Sequence, residues 1–162
     1  SIRASAEALG NDFLTSIEDK PLVGDVNEAA ATIYQKLKQV EVNVKPTAIV
    51  WGGETTVKIK GNGLGGRNQE LALIVAKLAN EYPVDQSWAF LSAGTDGRDG
   101  PTEAAGAIID QQTCERILQS GYKTEDFLID NNSNAALEIS DDLVYTGATG
   151  TNVADVQILV VS

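Results

Sequence analysis

Histidine and methionine are absent from the 162 residues, cysteine occurs once, and only Arg3, Arg67, Arg98 and Arg116 carry a guanidinium. Without histidine, Ser-His-Asp and Cys-His catalysis are excluded, as is every histidine-based metal site. Acid–base work is left to Asp, Glu, Lys or water. The lone Cys114 has no partner for an internal disulfide, which fits a reducing, cytoplasmic setting. No apolar run approaches the roughly 18 residues that span a bilayer, and the N-terminus has no secretory pattern. The missing methionine extends to position 1, which points to a removed initiator or to a piece of a longer chain. Basic groups are scarce as well, 12 against 23 acidic residues for a net charge of −11. Such a chain repels nucleic-acid phosphates and anionic membranes unless its basic groups cluster, and they do not. Arg67 and Arg98 stand apart because both sit in glycine-rich loops.

The apolar residues that are present follow two periods. Val26, Ala29, Ala30, Ile33, Tyr34, Leu37 and Val40 recur at helical spacing, with Asp25 placed as N-cap and Glu28 completing a capping box. Residues 67–82 read as a second, deeply buried helix ended by Pro83. Residues 2–9 read as the tail of a helix, 111–122 as a helix stopped by Gly121, and 124–131 and 133–140 as short helices capped by Thr124 and Ser133. Strands are expected at 11–18, 47–53, 55–61, 87–94, 141–147 and 153–161, with 47–53 and 55–61 able to form a hairpin. Segment 105–110 is short and apolar, and Pro21 and Gly24 break the pattern at 19–24. Alternation of strands and helices predicts one layered α/β domain over 1–162, with a mixed, partly parallel sheet and helices on both faces.

Four polar, glycine-rich stretches follow expected strands: GGETT (52–56), GNGLGGRNQE (61–70), SAGTDGRDGPTE (92–103) and TGATGTN (146–152). In α/β sheets ligands bind beyond the carboxyl ends of strands, and glycines let backbone approach a ligand. GNGLGG is a literal G-x-G-x-x-G. Its setting argues against dinucleotide binding: Arg67 opens the helix where small residues are needed, and the next acid, Asp96, lies too far on. The phosphate-loop pattern is absent too, since Arg67 and Asn68 stand where Lys and Ser/Thr belong. Arg67 reads as a clamp for a carboxylate or phosphoryl group at a helix N-terminus, or as a structural arginine paired with Glu70 or Glu54. Asn68 can hydrogen-bond beside it, and Gly53, Thr55, Gly65 and Gly66 line the same loops. Asp96 and Asp99 suit a magnesium ion or simply a turn. Glu54 is a site acid or an exposed turn acid. Thr149, Thr151 and Asn152 offer hydroxyl and amide donors, and Cys114 reads as core.

Taken in order, GGETTVKIKGNGLGGRNQELAL, SAGTDGRDGPTEAAGAIID and TGATGTNVADVQIL resemble the C-terminal MOFRL domain of the glycerate 2-kinase family, whose members are also described as hydroxypyruvate reductases. The matching stretches cover about half the chain, and PLVGDVNEAA resembles the family's entry into this domain, with GDV where GEA is usual. The resemblance implies ATP-dependent phosphorylation of D-glycerate to 2-phosphoglycerate with Mg²⁺ or another divalent cation. It implies a larger N-terminal domain of the same protein as partner and a site in the cleft between the two, with Arg67 matching the family's proposed catalytic arginine. The metal ligands stay open. Two other readings remain at this point: a stand-alone module binding a small anion such as a hydroxy acid or nucleotide, and an NAD(P)H-linked hydroxypyruvate reductase.

Overall fold

The helical stripe read at 26–40 is buried in the computed structural model, which describes residues 2–41 and 44–162. Ile33 and Leu37 on α2 (Val26–Gln39) have no exposed surface, each worth about 1.5–3 kcal/mol of burial. Asp25 caps this helix, its Oδ1 accepting from the N–H of Asn27 at 2.9 Å. The stripe packs on α3 (Arg67–Glu81), whose Leu71, Ala72, Leu73 and Val75 are likewise fully buried. Both helices lie on a sheet through Ile49, Trp51, Phe90, Ile109 and Leu159.

The remaining elements are α1 (Ile2–Ala8), β1 (Leu14–Ile17), β2 (Leu22–Asp25), β3 (Thr47–Thr56), β4 (Trp88–Gly94), β5 (Gly106–Asp110), α4 (Thr113–Gln119), α5 (Thr124–Ile129), α6 (Ser133–Ile139), β6 (Leu143–Val144) and β7 (Asp155–Val161). The seven-stranded sheet runs β1-β3-β7-β4-β5-β6, with β2 beside β3. The sheet is mixed: β1 and β2 follow one another along one edge of β3 in parallel, and every other pairing is antiparallel. Helices α2–α6 cover one face. On the other face α1 lies over β3, where Ile2 fills the space above Gly52. Beyond α1 that face carries the cross-strand row Ile17, Val50, Ile158, Leu91 and Ile108.

Three expectations need correction. Strand β3 passes straight through Gly52 and Gly53, so 47–53 and 55–61 form no hairpin. Both its edges are taken, one by β7 from Gly53↔Asp155 to Thr47↔Val161, the other by β1 at Thr47–Val50 and β2 at Gly53–Thr56. Chain beyond Thr56 leaves the sheet, and its donors go elsewhere: Lys60 and Gly61 N–H both donate to Asn131 Oδ1. Strand β2 was hidden by Pro21 and Gly24, which an outer strand tolerates. Thr124 and Ser133 are first helical residues rather than N-caps; Lys123 and Asn132 precede them and make no side-chain cap bond.

Topology places the site. Because β7 is antiparallel to both β3 and β4, its start lies beside their ends, and Gly53, Asp155 and Gly94 form one row. The chain leaving β3, the loop after β4 and the loop before β7 therefore gather at one end of the sheet's central strands.

Candidate functional site

Segment 60–66 is clasped by the turn between α5 and α6. Asp130 Oδ1 accepts from Asn62 N–H, Asp130 O from Gly63 N–H, and Asn132 Oδ1 from Leu64 N–H. Asn131 adds the two bonds above and donates from Nδ2 to Glu70 Oε1 at 3.1 Å. Close approach explains the glycines, since a Cβ at Gly61 or Gly63 would strike Asp130 or Asn132. The run IDNNSN, read only as the join of two helices, is the partner of GNGLGG. Its signal was a cluster of short amide and acid side chains between two helices, none of which caps α6.

The amino end of α3 is occupied from within the chain. Asp99 Oδ1 accepts from Asn68 N–H at 3.1 Å and Asn68 Nδ2 at 3.2 Å. Its Oδ2 accepts from Gln69 N–H at 2.8 Å and Gln69 Nε2 at 3.0 Å. A carboxylate here is favoured by the free N–H groups and the helix dipole. Burial nevertheless pushes the Asp99 carboxyl above its ordinary range, against the lowering effect of those four bonds. A Cβ on Gly66 would strike this carboxylate, and one on Gly65 would strike Ser133 Oγ. These two glycines thus admit Asp99 and Ser133 rather than an external anion. Asn68 is fully buried, its Oδ1 accepting from Ser92 Oγ at 2.6 Å, so it holds the loop from inside.

Arg67 faces the other way. Its Nε and Nη2 donate to Asp155 Oδ2 and Oδ1 at 2.7 and 2.9 Å, a two-point pairing that sequence reading missed. A lone acid at the head of the apolar strand VADVQILVV was the only trace of it. The bond to Asp155 raises the Arg67 pKa further, so the guanidinium stays charged. Nη1 lies 3.2 Å from Glu54 Oε1. Glu70, the other expected partner, is turned away toward Asn131, and burial raises its pKa.

Glu54, Thr55, Gly65, Gly66 and Arg67 line one cleft of about 500 Å³, together with Gly100 and Pro101. Gly53 stands next to Asp155 in the sheet rather than in the cleft wall. Asp96, Thr151 and Asn152 are exposed at the same end of the sheet but outside this cleft. Asp96 Oδ1 accepts from Arg98 N–H at 3.1 Å, and Asp96 O accepts from Thr149 N–H, tying the loop after β4 to the loop before β7. Among the described residues no three Cys, Asp or Glu side chains converge as a metal site. No helix among them is long and apolar enough to cross a membrane.

The model of the MOFRL family matches residues 47–155, which hold the cleft, Asp99 and Asp155. The chain belongs to the MOFRL family. This MOFRL chain is 44% identical over 159 residues to the D-glycerate 2-kinase of Thermotoga maritima, covering 96% of its own length and 37% of that protein. It is 43% identical over 118 residues to human glycerate kinase, covering 70% of itself and 23% of the relative. Among solved structures, a glycerate kinase from Thermotoga maritima superposes with a TM-score of 0.84 at 40% identity, over 98% of the chain and 38% of that structure. A protein from Pyrococcus horikoshii does so with a TM-score of 0.81 at 35% identity, over 98% of the chain and 36% of that one. The MOFRL chain thus spans little more than a third of these longer structures, and within that span its α/β fold is theirs.

Proposed function

We propose that this chain is the substrate-side domain of an ATP-dependent glycerate 2-kinase, which converts D-glycerate to 2-phosphoglycerate at a site shared with an N-terminal domain of a longer protein. The observation that carries the reading is Arg67: a permanently charged guanidinium, fixed by a buried carboxylate and exposed to a small-molecule-sized cleft, in a chain similar along nearly its whole length to a D-glycerate 2-kinase. The relatives are glycerate kinases and glycerate 2-kinases, which favours a kinase over a reductase.

Phosphoryl transfer asks the protein for position and charge neutralisation more than for covalent chemistry. Arg67 meets that need by orienting the glycerate carboxylate or by neutralising the moving phosphoryl group. Gly65 and Gly66 form the wall beside it, and Thr151 and Asn152 are exposed donors on a neighbouring loop. The N–H groups that open α3 are spent on Asp99, so we assign the nucleotide phosphates chiefly to the partner domain. A magnesium ion bound through nucleotide phosphates needs only one or two protein carboxylates. Exposed Asp96 suits that duty, and the ion would supply charge neutralisation on the phosphate oxygens.

The test is a coupled assay with ATP, Mg²⁺ and D-glycerate. Residues 1–162 alone should show no turnover, and the longer protein should show it. Arg67→Ala in the longer protein should lower kcat/KM by at least about a hundredfold, the usual scale for an oriented charge stabiliser. Turnover like that of the parent in Arg67→Ala removes the role given to Arg67. NADH oxidation with hydroxypyruvate, in place of kinase turnover, removes the kinase reading.

A further inference from the structure

We propose that the carboxylate of Glu54 occupies, in the free chain, the place on Arg67 that an anionic ligand takes, and that the ligand displaces it. The proposal rests on Arg67 facing an anion, as argued above. It adds where the anion sits and what it must remove.

Arg67 is held between two carboxylates of opposite character. Asp155 takes its Nε and Nη2 at 2.7 and 2.9 Å with a side chain 1% exposed. It begins β7 between Gly53 and Gly94 and is fixed by that ladder. Turning it away would strand a buried charge, which is strongly unfavourable. Glu54 reaches only Nη1, at 3.2 Å, and its side chain is 63% exposed. An exposed ion pair contributes about 0–1 kcal/mol, so Glu54 can swing into water at little cost.

Donor geometry points the same way. A guanidinium has five N–H donors arranged as two forks. Asp155 uses one fork, and the Nη1 side remains for a second two-oxygen anion. That side borders the cleft of about 500 Å³ between Gly65, Gly66, Gly100 and Pro101. The space admits a carboxylate or a phosphoryl group. Charge decides what must happen on binding. Arg67 and Asp155 neutralise each other, and Glu54 leaves the trio at −1, so an incoming anion is repelled until Glu54 departs. The helix N-terminus offers no substitute, because Asp99 already holds Asn68 and Gln69 N–H.

The experiment titrates ¹⁵N-labelled chain with inorganic phosphate and, separately, with D-glycerate at an ionic strength held at about 0.1 M. It follows Arg67 Nε–H and the Gly65 and Gly66 amides. Glu54→Gln should bind at least one of the two anions about fivefold more tightly, the equivalent of releasing one exposed ion pair. Glu103→Gln makes the same change in net charge at an exposed site on the loop after β4 and should leave affinity within about twofold, since the charge it removes is screened from the cleft by solvent. Arg67→Ala should abolish binding to both. The anion that gains more on Glu54→Gln identifies the subsite as one for carboxylate or for phosphoryl oxygen. Affinity unchanged or weaker in Glu54→Gln, an equal gain in Glu103→Gln, or no binding of either anion to Glu54→Gln each overturns the proposal. The two readings fail separately. A gain in Glu54→Gln without kinase turnover by the longer protein removes only the glycerate assignment. Turnover without that gain removes only the displacement.

Discussion

Arg67 and Asp155 lie 88 positions apart, yet the guanidinium Nε and Nη2 meet the two carboxylate oxygens at 2.7 and 2.9 Å. The pair joins the first turn of α3 to the first residue of β7 and so ties the cleft to the middle of the sheet. Arg67→Ala leaves the Asp155 carboxylate buried and unpaired. A loss of about 2–3 kcal/mol is expected in urea unfolding of the chain, below the figure for a fully enclosed pair because the arginine head reaches solvent. The double variant Arg67→Ala/Asp155→Asn should recover most of that stability. It should recover no turnover in the longer protein, which separates the structural duty of the pair from its chemical one.

Asp99 is the cap of α3, supplied from 30 residues further along the chain. Asparagine there presents an amide to donors that need an acceptor. Asp99→Asn should cost about 1–3 kcal/mol, the range for leaving buried donors unmade. Hydrogen exchange gives the local signature: the Asn68 and Gln69 amides should lose protection before the middle of α3 does.

Asn131 is the peg of the clasp. It accepts from Lys60 and Gly61 N–H and donates to Glu70. Its backbone is left-handed, at φ 51°. Asn131→Ala loses four side-chain hydrogen bonds, the fourth a long one from Nδ2 to Lys58 O at 3.4 Å, and adds strain, for an expected loss of about 2–3 kcal/mol. Asn131→Gly relieves the strain alone and should fall between parent and alanine variant in thermal unfolding.

Burial holds Glu70 and Asp99 above their ordinary carboxyl pKa values of 4.5 and 3.8. The folded chain therefore binds protons that the unfolded chain has released. Their contribution is fully present below the ordinary values and is lost as pH rises through the raised ones. The Tm should climb as pH is lowered from 7 toward about 5, before the exposed pairs at Asp25 and Glu81 begin to protonate. Glu70→Gln keeps the acceptor for Asn131 without a charge and should flatten that slope. A Tm that falls steadily between pH 7 and 5 contradicts the sign argued here.

Much of the molecule was legible in one dimension wherever the information was periodic. The α2 stripe, its Asp25 cap and the buried α3 were all present in spacing, because a helix repeats its contacts every few residues. So were the polar loops after β4 and β6, whereas GGETT lies within β3 and GNGLGG follows that strand only after residues 57–60. Segment 55–61 misled because it alternates like a strand, yet β7 on one side and β1 and β2 on the other take both edges of β3. Strand β2 was lost because Pro21 and Gly24 suggest a turn to any local rule, while an outer position tolerates both. The partners of the candidate site were illegible for a different reason. Asp99, Asn131 and Asp155 are single residues far from the groups they hold, and no spacing rule connects them.

What the sequence determined by itself is therefore a chemistry and a neighbourhood. The lack of histidine left this chain with guanidinium, ammonium, carboxylate, hydroxyl, amide and backbone groups, and the glycine-rich runs located where they would act. Which way those groups face was decided only by the tertiary structure. GNGLGG and the head of α3 look like a cradle for an outside anion until the sheet brings Asp99 onto those N–H groups. That internal carboxylate fills the cradle, since a buried helix end must satisfy its donors from whatever the fold places beside it. Arg67 is left facing the cleft, with Glu54 beside it.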